Sequence, residues 1–236
     1  DLDEKIVKRM FANISLPAMR VGNDLKLFCE LDSEFHLSRE ECDKYIEYLS
    51  SSGLFSLIPC ISNPSQIDYK TRLIAPSETK YKFLVGDLAV FFSIYFGSRG
   101  IKDIFTRAKK LVQDEHRIRD FLFESIILSH LLHHPKLKRE GTKNISFILE
   151  SDNEEDGEEL ADGFFWYLNF EDIFITVPIE VKYTENNLDL SVIKYKAKRL
   201  KERFGIKRLI VVTNKKDFEI TEDYAIVPAE VFLLLF

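Results

Sequence analysis

The stretch Ala161-Asp162-Gly163 … Pro178-Ile179-Glu180-Val181-Lys182 constrains this chain more than any other. Aromatic and β-branched runs, Phe164 to Tyr167 and Ile173 to Val177, flank Asn169-Phe170-Glu171-Asp172. That pattern predicts a β-hairpin whose turn is the Asn169 to Asp172 segment. Folding the chain about residue 171 sets Asp162 opposite Glu180, and directly opposed residues of an antiparallel pair share a face. Strand alternation then puts Glu180 and Lys182 on that face and turns Ile179 and Val181 away. Pro178 removes a ladder donor two residues before Glu180, so a bulge or a strand entry is expected there. A bulge would shift the register by one and carry Asp162 off the shared face.

Two carboxylates opposed at close range repel, so something positive must stand between them. A hard divalent cation with oxygen ligands would serve, with Lys182 beside it. A metal-dependent phosphodiesterase needs such an arrangement. A structural salt bridge between Lys182 and both carboxylates satisfies the same residues, and metal titration separates the two readings.

Net charge is −6, from 39 acidic and 33 basic residues, which argues against a protein that coats nucleic acid electrostatically. A local basic track remains: Lys194, Lys196, Lys198, Arg199, Lys201, Arg203, Lys207 and Arg208. It reads either as the solvated face of a helix or as a phosphate-facing surface. Hydrophobic content of 45% over 236 residues suffices for one large or two modest domains with real cores. Cys29, Cys42 and Cys60 are odd in number and form no CxxC pair, as expected of reduced thiols in an intracellular, cytoplasmic protein. No apolar run approaches a membrane span and no signal peptide is visible, so no membrane partner is expected. The chain opens at Asp1 without Met, as a piece of a longer protein would.

Residues 1 to about 95 read as helices followed by a β-ribbon. Asp3 to Asn13 carries Ile6, Val7, Met10 and Phe11 at helical spacing. Ser38-Arg39-Glu40-Glu41 is a capping-box start, Cys42, Tyr45, Ile46 and Leu49 form the stripe behind it, and Gly53 stops the helix. Strands follow at Leu54 to Ile61 and near Thr71 to Ile74, with a turn at Asn63-Pro64-Ser65. This order fits a winged helix-turn-helix with the Ser38 helix in the recognition position. That helix begins with acidic residues, which repel phosphate, so a packing or dimerisation role is equally open and a homo-oligomer is among the expected states. Phe83 to Phe96 is aromatic-rich and predicted to pack the junction between halves, with Gly97-Ser98-Arg99-Gly100 as the linker. The boundaries expected are 1–96 and 97–236.

Two helices are predicted next, Ile101 to Val112 and Glu115 to His134. The second is apolar over most of its circumference, and in that setting Glu124 must meet a cation, a donor or a metal site. His130, His133 and His134 end it, but no Glu follows His130 as metalloprotease chemistry requires. A strand at Asn144 to Glu150 leads to the acidic run Ser151 to Glu159, read as a solvated loop. After the hairpin come a helix from Leu188 to Phe204 capped by Gly205, a strand from Arg208 to Thr213, and Ala225-Ile226-Val227-Pro228 with an apolar tail. A mixed α/β sheet is the natural packing for that order. No phosphate-cradling Gly-x-x-x-x-Gly-Lys-Ser/Thr and no Gly-x-Ser-x-Gly occur.

With Glu124, Asp162, Glu180 and Lys182 in this order on these elements, the second half resembles the PD-(D/E)xK, restriction-endonuclease-like superfamily. A wider stretch looks like the C-terminal half of prokaryotic, chiefly archaeal, AAA-type ATPases. The residues that carry it are Tyr45 to Leu57, Lys80-Tyr81-Lys82-Phe83-Leu84, Phe121-Leu122-Phe123-Glu124, Ile179-Glu180-Val181-Lys182 and Ala225-Ile226-Val227-Pro228. In those proteins a winged helix joins an ATPase module to a nuclease-like domain. This chain departs from them in having Glu124-Ser125 where Glu-Asn is usual, Leu160 where an acidic residue is common, and no ATPase module.

The resemblance implies an α/β chain, an N-terminal winged helix followed by a restriction-endonuclease-like mixed sheet flanked by helices. It implies Mg²⁺ or Mn²⁺ held by Asp162 and Glu180 with the Val181 carbonyl, and Glu124 holding a second metal or its hydration shell. Lys182 would orient the attacking water or stabilise the phosphate. Lys194, Lys198 and Lys201 would carry the DNA backbone, and an AAA-type ATPase, in the same chain or another, would be the partner. A nuclease-fold module that binds without cleaving, or a winged-helix DNA-binding regulator, are the alternatives.

Overall fold

In the computed structural model, residues 3–7, 22–23, 36–53, 55–59, 67–68, 73–74, 80–97, 100–133, 145–149, 159–168 and 174–235 are described. They form a mixed α/β chain divided into two compact units, residues 1–57 with 79–126 and residues 58–78 with 127–236. These units differ from a single cut after residue 96, since 97–126 goes with the first and 58–78 with the second.

Strand β1 (Gly22–Asn23) and helix α1 (Arg39–Ser51) come first. α1 starts as its capping box dictates: Ser38 Oγ accepts from the Glu41 amide at 3.3 Å, and Glu41 Oε2 accepts from the Ser38 amide at 2.8 Å. Two residues past its end, Gly53 takes φ 73°, the left-handed stop that glycine allows. Strands β2 (Phe55–Pro59), β3 (Ile67–Asp68), β4 (Leu73–Ile74) and β5 (Lys80–Val85) follow. β3 and β4 pair antiparallel, and β1, β5 and β2 lie side by side in that order. The Asn63 turn and most of the first predicted helix lie outside the described residues; residues 4–7 are helical.

Helix α2 (Leu88–Gly97), which the aromatic run did not announce, precedes the two expected helices, α3 (Ile104–Asp114) and α4 (His116–His133). The aromatic run is the first unit's core rather than a connection. Phe91, Phe92 and Phe96 are buried with Tyr45, Phe55, Ile118 and Phe121, and Phe55 meets Phe91 edge-on with ring centroids 6.2 Å apart.

The second unit is built on a six-stranded sheet ordered β10-β11-β9-β8-β7-β6. Its strands are β6 (Ile145–Leu149), β7 (Glu159–Leu168), β8 (Phe174–Lys182), β9 (Leu209–Thr213), β10 (Glu219–Ile220) and β11 (Tyr224–Pro228). Helix α5 (Leu190–Phe204) links β8 to β9, which run parallel, and α6 (Ala229–Leu235) ends the chain. β9 and β11 are also parallel, while β6, β7 and β10 are antiparallel to their neighbours. The predicted turn at Asn169 to Asp172 and most of the acidic run lie outside the described residues.

The β7–β8 ladder runs from Leu168↔Phe174 to Gly163↔Ile179 without a shift, centred on residue 171. Pro178 pairs in sequence with Phe164, so the expected bulge is absent from this ladder. A continuous ladder preserves face identity, and one step beyond Gly163 brings Asp162 level with Glu180. α5 covers one face of this sheet: Ile193, Ala197 and Leu200 pack with Leu160, Phe164, Leu209, Val211, Tyr224 and Ile226. Asp162 falls between Leu160 and Phe164 in the alternation, on the face that α5 covers. Gly163 faces the other way, where an added Cβ would stand 2.8 Å from a Leu128 methyl.

Among the described residues no helix is long and apolar enough to cross a membrane.

Candidate functional site

The β7–β8 ladder keeps register as far as Gly163↔Ile179, and just past its end Asp162 is bonded to the Val181 amide while Glu180 meets Lys196 of α5. Asp162 is 8% exposed and Glu180 has no exposed surface. Asp162 is fixed by its Oδ2, which accepts the Val181 amide at 2.6 Å. That bond crosses the hairpin and ties the first carboxylate to the residue next to the second.

Cations from two elements meet Glu180. Lys182, two residues along β8 on the same face, places its Nζ 2.6 Å from Glu180 Oε1. Lys196 comes down from α5 and donates to Oε1 at 2.8 Å and to Oε2 at 3.0 Å. Burial pushes the Glu180 carboxyl above its ordinary value, and the charge of Asp162 adds to that push. Lys182 and Lys196 pull the other way.

The sequence reading grouped Lys196 with the surface track. α5 buries Ile193, Lys196, Ala197 and Leu200, the i, i+3, i+4, i+7 stripe of an amphipathic helix with a lysine at one core position. A lysine on a buried stripe requires an acidic partner, and that spacing was the signal available in the sequence.

Lys182 and Glu180 lie where β8 runs parallel to β9, beside Thr213 and Val211. The turns that leave these two strand ends are stitched together. The Thr184 amide donates to Asn214 Oδ1 at 2.9 Å, Asn214 Nδ2 donates back to the Thr184 carbonyl at 3.1 Å, and Lys215 Nζ donates to the Glu185 carbonyl at 2.9 Å. Carboxyl ends of adjacent parallel strands are where open α/β sheets present ligands.

Glu124 meets a cation, as its apolar helix required. Lys82 of β5, only 2% exposed, donates to Glu124 Oε1 at 2.7 Å. Both residues belong to the first unit, so Glu124 is seated in a buried ion pair of that unit. Of the lysines expected on a nucleic-acid track, Lys194 and Lys198 are exposed on α5. Lys198 lies 3.7 Å from Glu202, while Lys201 donates to Asp223 at 3.0 Å with Glu222 at 4.0 Å. The Asp223 bond and charge push the Lys201 ammonium above its ordinary value.

Asp162 and Glu180, with the Val181 carbonyl next after Glu180 in sequence, offer hard oxygen donors of the kind that suit Mg²⁺ or Mn²⁺. Among the described residues no group of three His, Cys, Asp or Glu gathers. An ion bound there would share Glu180 with Lys182 and Lys196. Comparison with protein-family models, with curated proteins and with solved structures finds no match, and the site is assigned from its own geometry.

Proposed function

We propose that this chain is a divalent-metal-dependent phosphodiesterase of the PD-(D/E)xK type acting on DNA. The observation that supports the reading is the in-register β7–β8 ladder leading up to Asp162 and Glu180, with Lys182 bonded to Glu180. Asp162 and Glu180 would hold Mg²⁺ or Mn²⁺ with the Val181 carbonyl. When bound, the ion supplies Lewis acidity toward the scissile phosphate and lowers the pKa of the attacking water. Lys182, 41% exposed at its side chain and bonded to Glu180, would orient that water or neutralise a phosphate oxygen. Lys194 and Lys198, exposed on α5, would lie along the DNA backbone; Lys201 would join them only by leaving Asp223. Glu124 is bonded to Lys82 within the first unit, and no role at the metal is proposed for it.

Within this reading the sheet of the second unit is a restriction-endonuclease-like core, with α5 as the crossover after the Glu-x-Lys strand. The capped helix α1 and the strands after it would be a winged helix, and an AAA-type ATPase would be the partner, in the intracellular setting expected for reduced cysteines.

The test is cleavage of single- and double-stranded DNA with Mg²⁺ or Mn²⁺ over a range of salt. Asp162→Asn, Glu180→Gln and Lys182→Met are each expected to lower the rate by about two orders of magnitude or more while remaining folded. Wild-type protein that leaves every substrate uncut removes the enzyme reading.

A second reading, a non-cleaving module that keeps this sheet to dock an ATPase or DNA, is favoured by one observation: lysines from two elements already balance Glu180. A thermal shift with Mn²⁺ that vanishes in Asp162→Asn favours the metal site over the salt bridge.

A further inference from the structure

Glu180 is bonded to cations from two elements that differ in their freedom. Lys182 is 41% exposed at its side chain, and Lys196 is 11% exposed. Lys196 sits on the stripe of α5 buried with Ile193, Ala197 and Leu200, and it engages both oxygens of a carboxylate that has no exposed surface. We propose that Lys196 is a resident counter-ion, a positioning residue that holds Glu180 in place in the cation-free protein and sets how tightly the site takes a divalent ion. This inference rests on the metal-site reading above.

Asp162 and Glu180 bring two negative charges, and Lys182 and Lys196 bring two positive ones. With Glu180 ionised, these four groups balance before any ion arrives. A divalent cation added to Glu180 makes the pocket positive, and that excess is relieved when an ammonium withdraws. Lys182 can swing to water from the end of β8. Lys196 is only 11% exposed on the buried stripe of α5, so its head has little room to leave Glu180 and opposes the incoming charge. Repulsion inside a site of low local dielectric is strong, so the affinity depends on that one ammonium. The arrangement keeps Glu180 poised and weakens binding until a further negative charge enters, and a DNA phosphate supplies one. Substrate and metal are then expected to bind with positive coupling.

Mn²⁺ binding by calorimetry at pH 8, together with metal-free thermal unfolding, tests this on the full chain. Lys196→Met keeps the stem and removes the charge. It is expected to lower the metal-free melting temperature yet bind Mn²⁺ about tenfold tighter, the change that about 1.4 kcal/mol of relieved repulsion produces. Lys196→Arg should bind Mn²⁺ as the wild type does. A folded Lys196→Met whose Mn²⁺ affinity is unchanged or weaker overturns the inference, and Asp162-dependent binding in the wild type then leaves the metal site standing. Absence of Mn²⁺ binding in both wild type and Lys196→Met overturns both together.

A second measurement needs no substitution at Lys196. The Lys196 ammonium, followed by nitrogen-detected NMR in the wild-type protein, should shift on titration with Mg²⁺ and should not shift in Asp162→Asn. A Lys196 signal that stays still while Mg²⁺ saturates the site also overturns the proposal.

Discussion

Asp162 acts on its neighbour through charge as well as through the bond it makes. Because Glu180 is held above the ordinary carboxylate value of 4.5, first by burial and then by Asp162, the unfolded chain releases that proton at lower pH than the native one. Between those two values the native state holds more protons than the unfolded state. Glu180 therefore costs stability as pH rises from the ordinary value through its native one, and the cost stays constant above it. Asp162→Asn removes the second cause and should move the Glu180 titration midpoint down, as read by carboxyl-carbon NMR in metal-free buffer. An unmoved midpoint would show that the two carboxylates do not sense each other. The Lys82–Glu124 pair makes a separate prediction in the first unit. Lys82→Met leaves a carboxylate only 13% exposed without its ammonium, and urea unfolding should register a loss of about 3 kcal/mol. Replacing both residues together with Met and Leu should recover most of that loss. The need of Glu124 for a cation, a donor or a metal was legible from its apolar helix, but which of these it meets was not. Lys82 lies 42 residues away, and nothing local in the sequence selects it.

At the scale of elements, the hairpin shows what a local pattern can and cannot disclose. Strict alternation and a centre at residue 171 give the β7–β8 register residue by residue, because strand pairing across a short connection repeats every second position. Pro178 breaks a donor without breaking that register, and the sequence alone did not separate those effects. The ends of α5 were half legible. Gly205 marked the C-terminal stop, whereas the start was placed at Leu188 although Asp189 is the cap, accepting from the Ser191 amide at 2.9 Å. β10 is only Glu219–Ile220, too short for any periodicity to reveal. Gly163 gives the element-scale test. Its face of β7 is closed by Leu128, which has no exposed surface and cannot easily give way. Gly163→Ala should destabilise by about 1–3 kcal/mol in denaturant melts, and Leu128→Ala in the same chain should return part of it. Additive losses in the double variant would show that the two sites do not touch.

For the whole molecule, the two units carry separate hydrophobic clusters, one around Phe91 and Phe121 and one between α5 and the sheet. In sequence the two units interleave, since residues 58–78 go with 127–236. Charge was easier to read than its disposition. The net value of −6 stood in the composition, while the acidic partners of Lys198 and Lys201 depend on helix spacing and on the turn before β11. The six-stranded sheet ends in strands of different character. β10 spans two residues, and β6 changes register between Ser146 and Ile148 and again between Ile148 and Leu149. A foreign strand seeking to extend the ladder finds one margin too brief to template it and the other out of step. The folded protein should therefore withstand seeding: incubated at high concentration below its melting temperature, it should raise no thioflavin fluorescence, and fibres should form only after the rim has come apart.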